Sequence, residues 1–171
     1  MQVKGLPGRL AFRTFGRMTD RNAGVADGMA AWRAFLTAHA RVTEILEREL
    51  QEERHIPLAW YDVLVQLTEA PEGQLRMHEL ASRVLLSRAG LTRLVDRMAA
   101  AGLVERLPCP DDRRGTFVAL TEAGRTTNRD AAPAHLRGVR EHFIRHLRPN
   151  ELATLERGLS RVVTALRPAG E

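Results

Sequence analysis

From Met29 onward, large apolar residues recur every three or four positions: Trp32, Phe35, Leu36, Val42, Leu46 and Leu50, with His39 on the same face. Glu44, Glu47, Arg48, Glu52 and Glu53 fall opposite, so the segment to about residue 55 predicts an amphipathic helix with one buried side. Pro57 suits the first turn of a second helix, 57–70, because the N–H it lacks has no helical partner there. Trp60, Val63, Leu64, Val65 and Leu67 imply burial of that helix nearly all round, and Pro71 and Gly73 end it. A short helix over about 78–85 carries Leu80, Ala81, Val84 and Leu85 on one side. After a break at Leu86, Ser87 is a good N-cap for a helix from Arg88 to Ala101 that Gly102 closes.

That last helix has an inner stripe of Leu91, Leu94, Val95 and Met98, leaving Arg88, Thr92, Arg93, Asp96 and Arg97 nearer its outer faces. Two short strands, 103–107 and 116–120, then bracket a charged hairpin tip of Pro108, Pro110, Asp111, Asp112, Arg113, Arg114 and Gly115. Thr121 caps a long helix to about Leu147, with Leu136, Val139, Phe143 and Leu147 as its stripe and a kink expected at Pro133. Pro149 and Glu151 open a final helix bearing Leu152, Leu155, Leu159, Val162, Val163 and Leu166. The expected fold is therefore mainly α with a small β wing: a winged helix-turn-helix flanked by N- and C-terminal helices. Those flanking helices offer more apolar stripe than one small lobe can cover, which makes a homodimer the economical expectation. The expected organisation is a basic, flexible arm over 1–28, an N-terminal dimerisation helix over 29–55, the winged lobe over 56–120 and C-terminal dimerisation helices over 121–171.

Composition narrows the partners. At 171 residues with 44% hydrophobic and 27% charged side chains, the chain suits one globular domain with an appendage. No apolar run is long enough to span a bilayer and no secretory leader pattern is visible, so the cytoplasm is the expected compartment and no membrane partner is expected. A single cysteine, Cys109, excludes an internal disulfide and a cysteine-based zinc module. The net charge of +5 is segregated: positive charge concentrates in 1–28, 83–120 and 121–171, while 56–82 is acidic. Such segregation suits a polyanion, and Arg9, Arg13, Arg17 and Arg21, four apart, would stack on one face of any helix in the arm. An enzyme finds little support. There is no glycine-rich phosphate loop, no nucleophile elbow and no helical metalloprotease motif, and the paired carboxylates Glu52–Glu53 and Asp111–Asp112 lie in solvated or turn contexts. No cofactor is expected.

The ordered series Asp62-Val-Leu-Val, Leu80-Ala-Ser-Arg-Val-Leu-Leu-Ser-Arg-Ala-Gly-Leu-Thr-Arg-Leu-Val-Asp-Arg-Met, Gly102-Leu-Val-Glu-Arg, Pro110-Asp-Asp-Arg-Arg-Gly and Ala119-Leu-Thr-Glu-Ala-Gly-Arg resembles the MarR family of bacterial transcription regulators. The matching block covers about residues 56–125. The resemblance implies a homodimer on a pseudopalindromic operator in double-stranded DNA, acting as a repressor that a small ligand or oxidant releases.

The residues agree with that mechanism. A recognition helix delivers side chains from its N-terminal half into the major groove, where each base pair has a distinct edge. Ser87, Arg88, Thr92 and Arg93 occupy those first turns, and Arg97, further along, suits a phosphate. By resemblance, Arg113 enters the minor groove, Asp111 orients it and Arg114 contacts phosphate. A narrow minor groove concentrates negative potential, which favours arginine there. The resemblance also places an effector between the dimer helices and the DNA-reading lobe, lined here by Trp32, Phe35, His39, Trp60 and Asp62, with Arg93 nearby. Aromatics beside a few polar groups suit a small aromatic or anionic ligand. Two alternatives stand beside this reading. Glu141, His142 and His146 resemble the ligands of zinc-responsive members, the two histidines being four apart as one helical face requires. A winged helix can also serve as a protein-interaction scaffold without DNA. Cys109 is read as an incidental thiol, since the family's peroxide sensors place their cysteine near the first helix.

Overall fold

In the computed structural model, residues 19–84, 88–109 and 112–166 are described. Six helices and three strands follow in the order α1 (Thr19–Arg54), α2 (Leu58–Thr68), β1 (Gln74–Arg76), α3 (Met77–Arg83), α4 (Arg88–Ala100), β2 (Val104–Cys109), β3 (Asp112–Leu120), α5 (Glu122–His142) and α6 (Pro149–Ala165). Ser87, Asp111 and the arm arginines Arg9, Arg13 and Arg17 lie outside the described residues. The helix is already formed at Thr19, the first described residue, ten residues before Met29. Its first turns lack an apolar face, so periodicity could not see them, whereas helix propagation needs only the backbone ladder.

By internal contacts the chain divides into two units, 1–41 and 42–171. In the first, Trp32 stacks on Phe35 with ring centroids 5.8 Å apart, and Phe35 lies 6.2 Å from His39. The expectation that Trp32, Phe35 and Leu36 are buried does not hold within one chain: Trp32 is 51% exposed, and the other two are exposed as well. Periodicity identifies the apolar face of a helix without saying what covers it.

The second unit contains the core. Leu46 and Leu50 of α1, Tyr61, Val63, Leu64 and Leu67 of α2, Leu80 of α3, and Leu91, Leu94, Val95 and Met98 of α4 pack with Val104, Val118, Leu120, Ala131 and Ala134 in one cluster. The predicted inner stripe of α4 is thus buried in full. Gly102, at φ +73°, closes α4 in a left-handed turn. Its N–H bonds to Ala99 O at 2.9 Å, and the Leu103 N–H bonds to Met98 O at 3.0 Å, satisfying carbonyls the helix end would leave open.

The expected two-stranded ribbon is a three-stranded antiparallel sheet in the order β1-β3-β2. β1 pairs Leu75 with Val118, and three residues are too few to announce a strand in sequence. The hairpin strands also run further than expected, to Cys109 and from Asp112. Pro108 read as a turn residue, yet it pairs with Thr116 just before a register shift. β2 is an edge strand, where a proline is tolerated because one side of the strand needs no ladder.

Thr121 caps α5 as expected, accepting from the Gly124 N–H at 3.0 Å. The helix continues through Pro133 but ends at His142 rather than Leu147, and Ile144–His146 form a 3₁₀ turn. Its buried face is Gly124, Ala131, Ala134 and Gly138, while Leu136, expected inside, is 64% exposed. Small residues let α5 approach its neighbours: a Cβ on Gly138 would come within 2.5 Å of Leu46 Cδ2 and 2.7 Å of Glu49 Oε2. Arg137 donates to both Glu53 carboxylate oxygens across the same α1–α5 contact. No residue of α6 is buried; Leu159, Val162, Val163 and Leu166 are all exposed.

Candidate nucleic-acid interface

The core fixes how α4 presents its remaining side chains. With Leu91, Leu94, Val95 and Met98 turned inward, Thr92, Arg93, Asp96 and Arg97 are forced onto the exposed outer faces. Arg88 opens the helix. Arg93 and Arg97 form no ion pair with another described residue, so two guanidinium groups stand available on one exposed helix surface.

A second contact sets the hairpin against that helix. Arg106 of β2 donates to Asp96 Oδ1 at 2.8 Å and reaches the Thr92 carbonyl at 3.4 Å. Both side chains are partly solvated, so the pair contributes orientation more than stability. Sequence reasoning did not pair Asp96 with Arg106. Their pairing is decided only when β2 folds back along α4, although opposite charges at the base of a wing were visible. On the far side of the sheet, the Arg76 guanidinium lies 5.5 Å from the Phe117 ring centroid, tying the start of α3 to β3. The Glu79 carboxylate accepts from the Arg76 N–H at 2.9 Å, capping α3. Arg113 and Arg114 are carried near the beginning of β3, at the distal end of the hairpin. The arrangement is a helix with exposed arginines beside an arginine-bearing β-hairpin, both anchored to one hydrophobic core.

Comparison with known proteins adds the decisive observation. The sequence profile of the MarR family matches residues 56–115, which run from the start of α2 into the hairpin. AbsC of Streptomyces coelicolor, a MarR family transcriptional regulator, is 38% identical, with 81% of this chain and 93% of that one aligned at a TM-score of 0.75. The chain belongs to the MarR family. Sco3205 of S. coelicolor, a family regulator crystallised in complex with DNA, is 34% identical over 85% of this chain and 92% of that one, with a TM-score of 0.78. Multiple antibiotic resistance protein MarR of Escherichia coli K12 is 34% identical over 85 residues, half of this chain and 59% of that protein.

As a MarR family member, the chain places the other predicted site residues unevenly. Trp32, Phe35 and His39 belong to the first unit, and Trp60 and Asp62 to the second. Trp60 is half-buried against the core cluster. Burial, and secondarily the Glu47 carboxylate, push the Asp62 carboxyl above the usual aspartate range, although the residue as a whole is exposed.

The zinc-site alternative does not assemble in this family member. His142 Nε2 lies 2.6 Å from Glu49 Oε1 on α1, and Glu141 pairs with Arg145 and Arg140. Phe143, at φ −130° and ψ −64°, breaks the helix between His142 and His146, so the four-residue spacing no longer implies a shared face. Among the described residues, no group of three or more His, Cys, Asp or Glu side chains could hold a metal ion. Cys109 is buried at the end of β2.

Proposed function

We propose that this MarR family protein is a homodimeric transcriptional regulator, acting as a cytoplasmic repressor on a pseudopalindromic operator and released by a small-molecule effector. α4 enters the major groove, with Arg88, Thr92 and Arg93 toward base edges and Arg97 toward phosphate. Ser87 lies just ahead of that helix in sequence. The β2–β3 hairpin carries Arg113 to the minor groove, oriented by Asp111, with Arg114 on phosphate. The observation that carries this reading is the exposed Arg93–Arg97 surface of α4, which forms no ion pair with another described residue and is held by a fully buried inner stripe. Sco3205, with the same fold, was crystallised on DNA. The dimer accounts for α6, where Leu159, Val162 and Val163, with Leu166 capping the helix, are apolar side chains left exposed on a single chain. Among the described residues, no helix is long and apolar enough to cross a membrane.

The test is a salt-titrated binding assay on the DNA upstream of the protein's own gene, compared with a scrambled duplex. A regulator binds the native fragment preferentially, and the logarithm of its affinity falls linearly with the logarithm of salt as phosphate contacts release counterions. Absence of binding to either duplex at low salt refutes the reading.

A further inference from the structure

Between α2 and the end of α3 lies a cleft of ≈ 180 Å³ that the DNA-binding surface does not use. One wall is the α2 face of Asp62, Val65 and Gln66, spaced i, i+3 and i+4 so that all three project together. Among the described residues, the other wall is Arg83, the last residue of α3, with Val84, which caps it.

The charges of the two walls are opposite and unjoined. Asp62 and Arg83 line the same small cleft, yet no ion pair forms between them. Asp62 instead feels burial first and then the Glu47 carboxylate, both of which disfavour its anion, with no cation among the described residues offsetting them. Glu47 is itself held in place by the Leu58 N–H at 2.7 Å. A positive group entering beside Asp62 would relieve that repulsion. An anionic group at the opposite wall would meet Arg83, whose planar fork matches a carboxylate. Val65 and Val84 supply apolar surface, and the Gln66 carboxamide can donate or accept. A ligand with a single charge satisfies one wall and leaves the other open.

We propose that this cleft binds a small zwitterion, its ammonium toward Asp62, its carboxylate toward Arg83 and its carbon frame on Val65 and Val84. Such a ligand fixes the separation of α2 from the end of α3, and Val84 stands four residues before Arg88 opens α4. Occupancy therefore biases the pose of α4; this regulatory consequence rests on the DNA-binding reading, whereas ligand binding itself does not.

The test is calorimetry on the full-length protein without DNA. The probes are γ-aminobutyrate, ε-aminohexanoate and para-(aminomethyl)benzoate, zwitterions of differing length and stiffness, with benzoate and benzylamine as the single-charge halves. At least one zwitterion should bind tenfold or more tightly than either half. Arg83→Gln should remove that advantage while leaving benzylamine unaffected, and Asp62→Asn should remove it while leaving benzoate unaffected. Circular dichroism checks that both variants, altered at exposed positions, remain folded. Failure of all three zwitterions to bind at millimolar concentration overturns the proposal, as does binding that needs only one of the two charged residues or neither. Operator affinity of the same preparation is measured separately: zwitterion binding without DNA binding would refute the regulator reading and leave the cleft assignment standing.

Discussion

Among the described glycines, Gly124 is the one where an added Cβ meets the closest obstacle. A Cβ built there would lie 2.1 Å from the Leu103 carbonyl oxygen and 2.8 Å from Leu120 Cδ1. Even a close C–H···O contact keeps carbon and oxygen about 3.3 Å apart, so the first turn of α5 and the entry to β2 must separate by roughly 1 Å. The obstacle is backbone and cannot rotate aside. The Leu103 carbonyl also accepts from the Thr121 N–H at 3.2 Å, while Thr121 Oγ1 donates to Gly102 O at 2.7 Å and caps α5 through Gly124. Displacement therefore strains the cap and the end of α4 together. Overpacking of this kind costs about 1–3 kcal/mol, and loss of a cap adds roughly 1, against about 1 gained because alanine favours helix over glycine. Gly124→Ala should lose about 2 kcal/mol net. Gly138→Ala meets only the movable ends of Leu46 and Glu49 and should change stability by less than about 1 kcal/mol. Urea unfolding at fixed protein concentration, with both variants showing the parental m-value, makes the comparison. If Gly124→Ala is as stable as the parent, or Gly138→Ala is the more damaging of the two, the close-approach argument is wrong.

Three further outcomes follow from the described contacts. Arg97→Ala should weaken operator binding about equally for all sequences and reduce the salt slope by about 1, whereas Arg93→Ala should cost about 1–3 kcal/mol and relax base preference; filter binding over a salt series on matched and mismatched duplexes separates them. Burial lowers the pKa of His135, whose ring lies 4.6 Å from Tyr61 and whose buried Nδ1 has no hydrogen-bond partner among the described residues. The unfolded chain then binds this proton more readily, so stability held above the ordinary imidazole value of about 6.5 is lost as pH falls through it; His135→Phe should flatten that part of a urea-midpoint profile, and an unchanged profile counts against the assignment. His55 sits at φ 55°, immediately after α1, with its N–H bonded to Gln51 O at 3.1 Å. His55→Gly should stabilise by up to about 1 kcal/mol in thermal unfolding, because only glycine adopts that conformation without strain.

The readable part of the interface was α4. Its four inner residues follow the helical period, Gly102 marks its end, and the positions left over must face outward whatever the rest of the chain does. The Asp96–Arg106 contact was not readable, since it joins a helix to a strand through the way β2 folds back. The same holds for Asp62 and Arg83, which come to one cleft only because α2 and α3 pack together. His142 shows the opposite failure: a spacing that fits a metal lost its meaning once Phe143 broke the helix and Glu49 took the imidazole.

By itself, the sequence determined the order of the helices, the stripe that α4 buries, the Thr121 cap and the excess of positive charge over 83–120. Each of these rests on neighbours within a turn or two, where backbone geometry dictates which side chains share a face. Tertiary structure decided the third strand, the reach of the hairpin through Pro108, the small-residue face of α5 and which apolar residues stay exposed on a single chain. Those outcomes depend on partners far away in sequence, and a periodic pattern names a face without naming what packs against it.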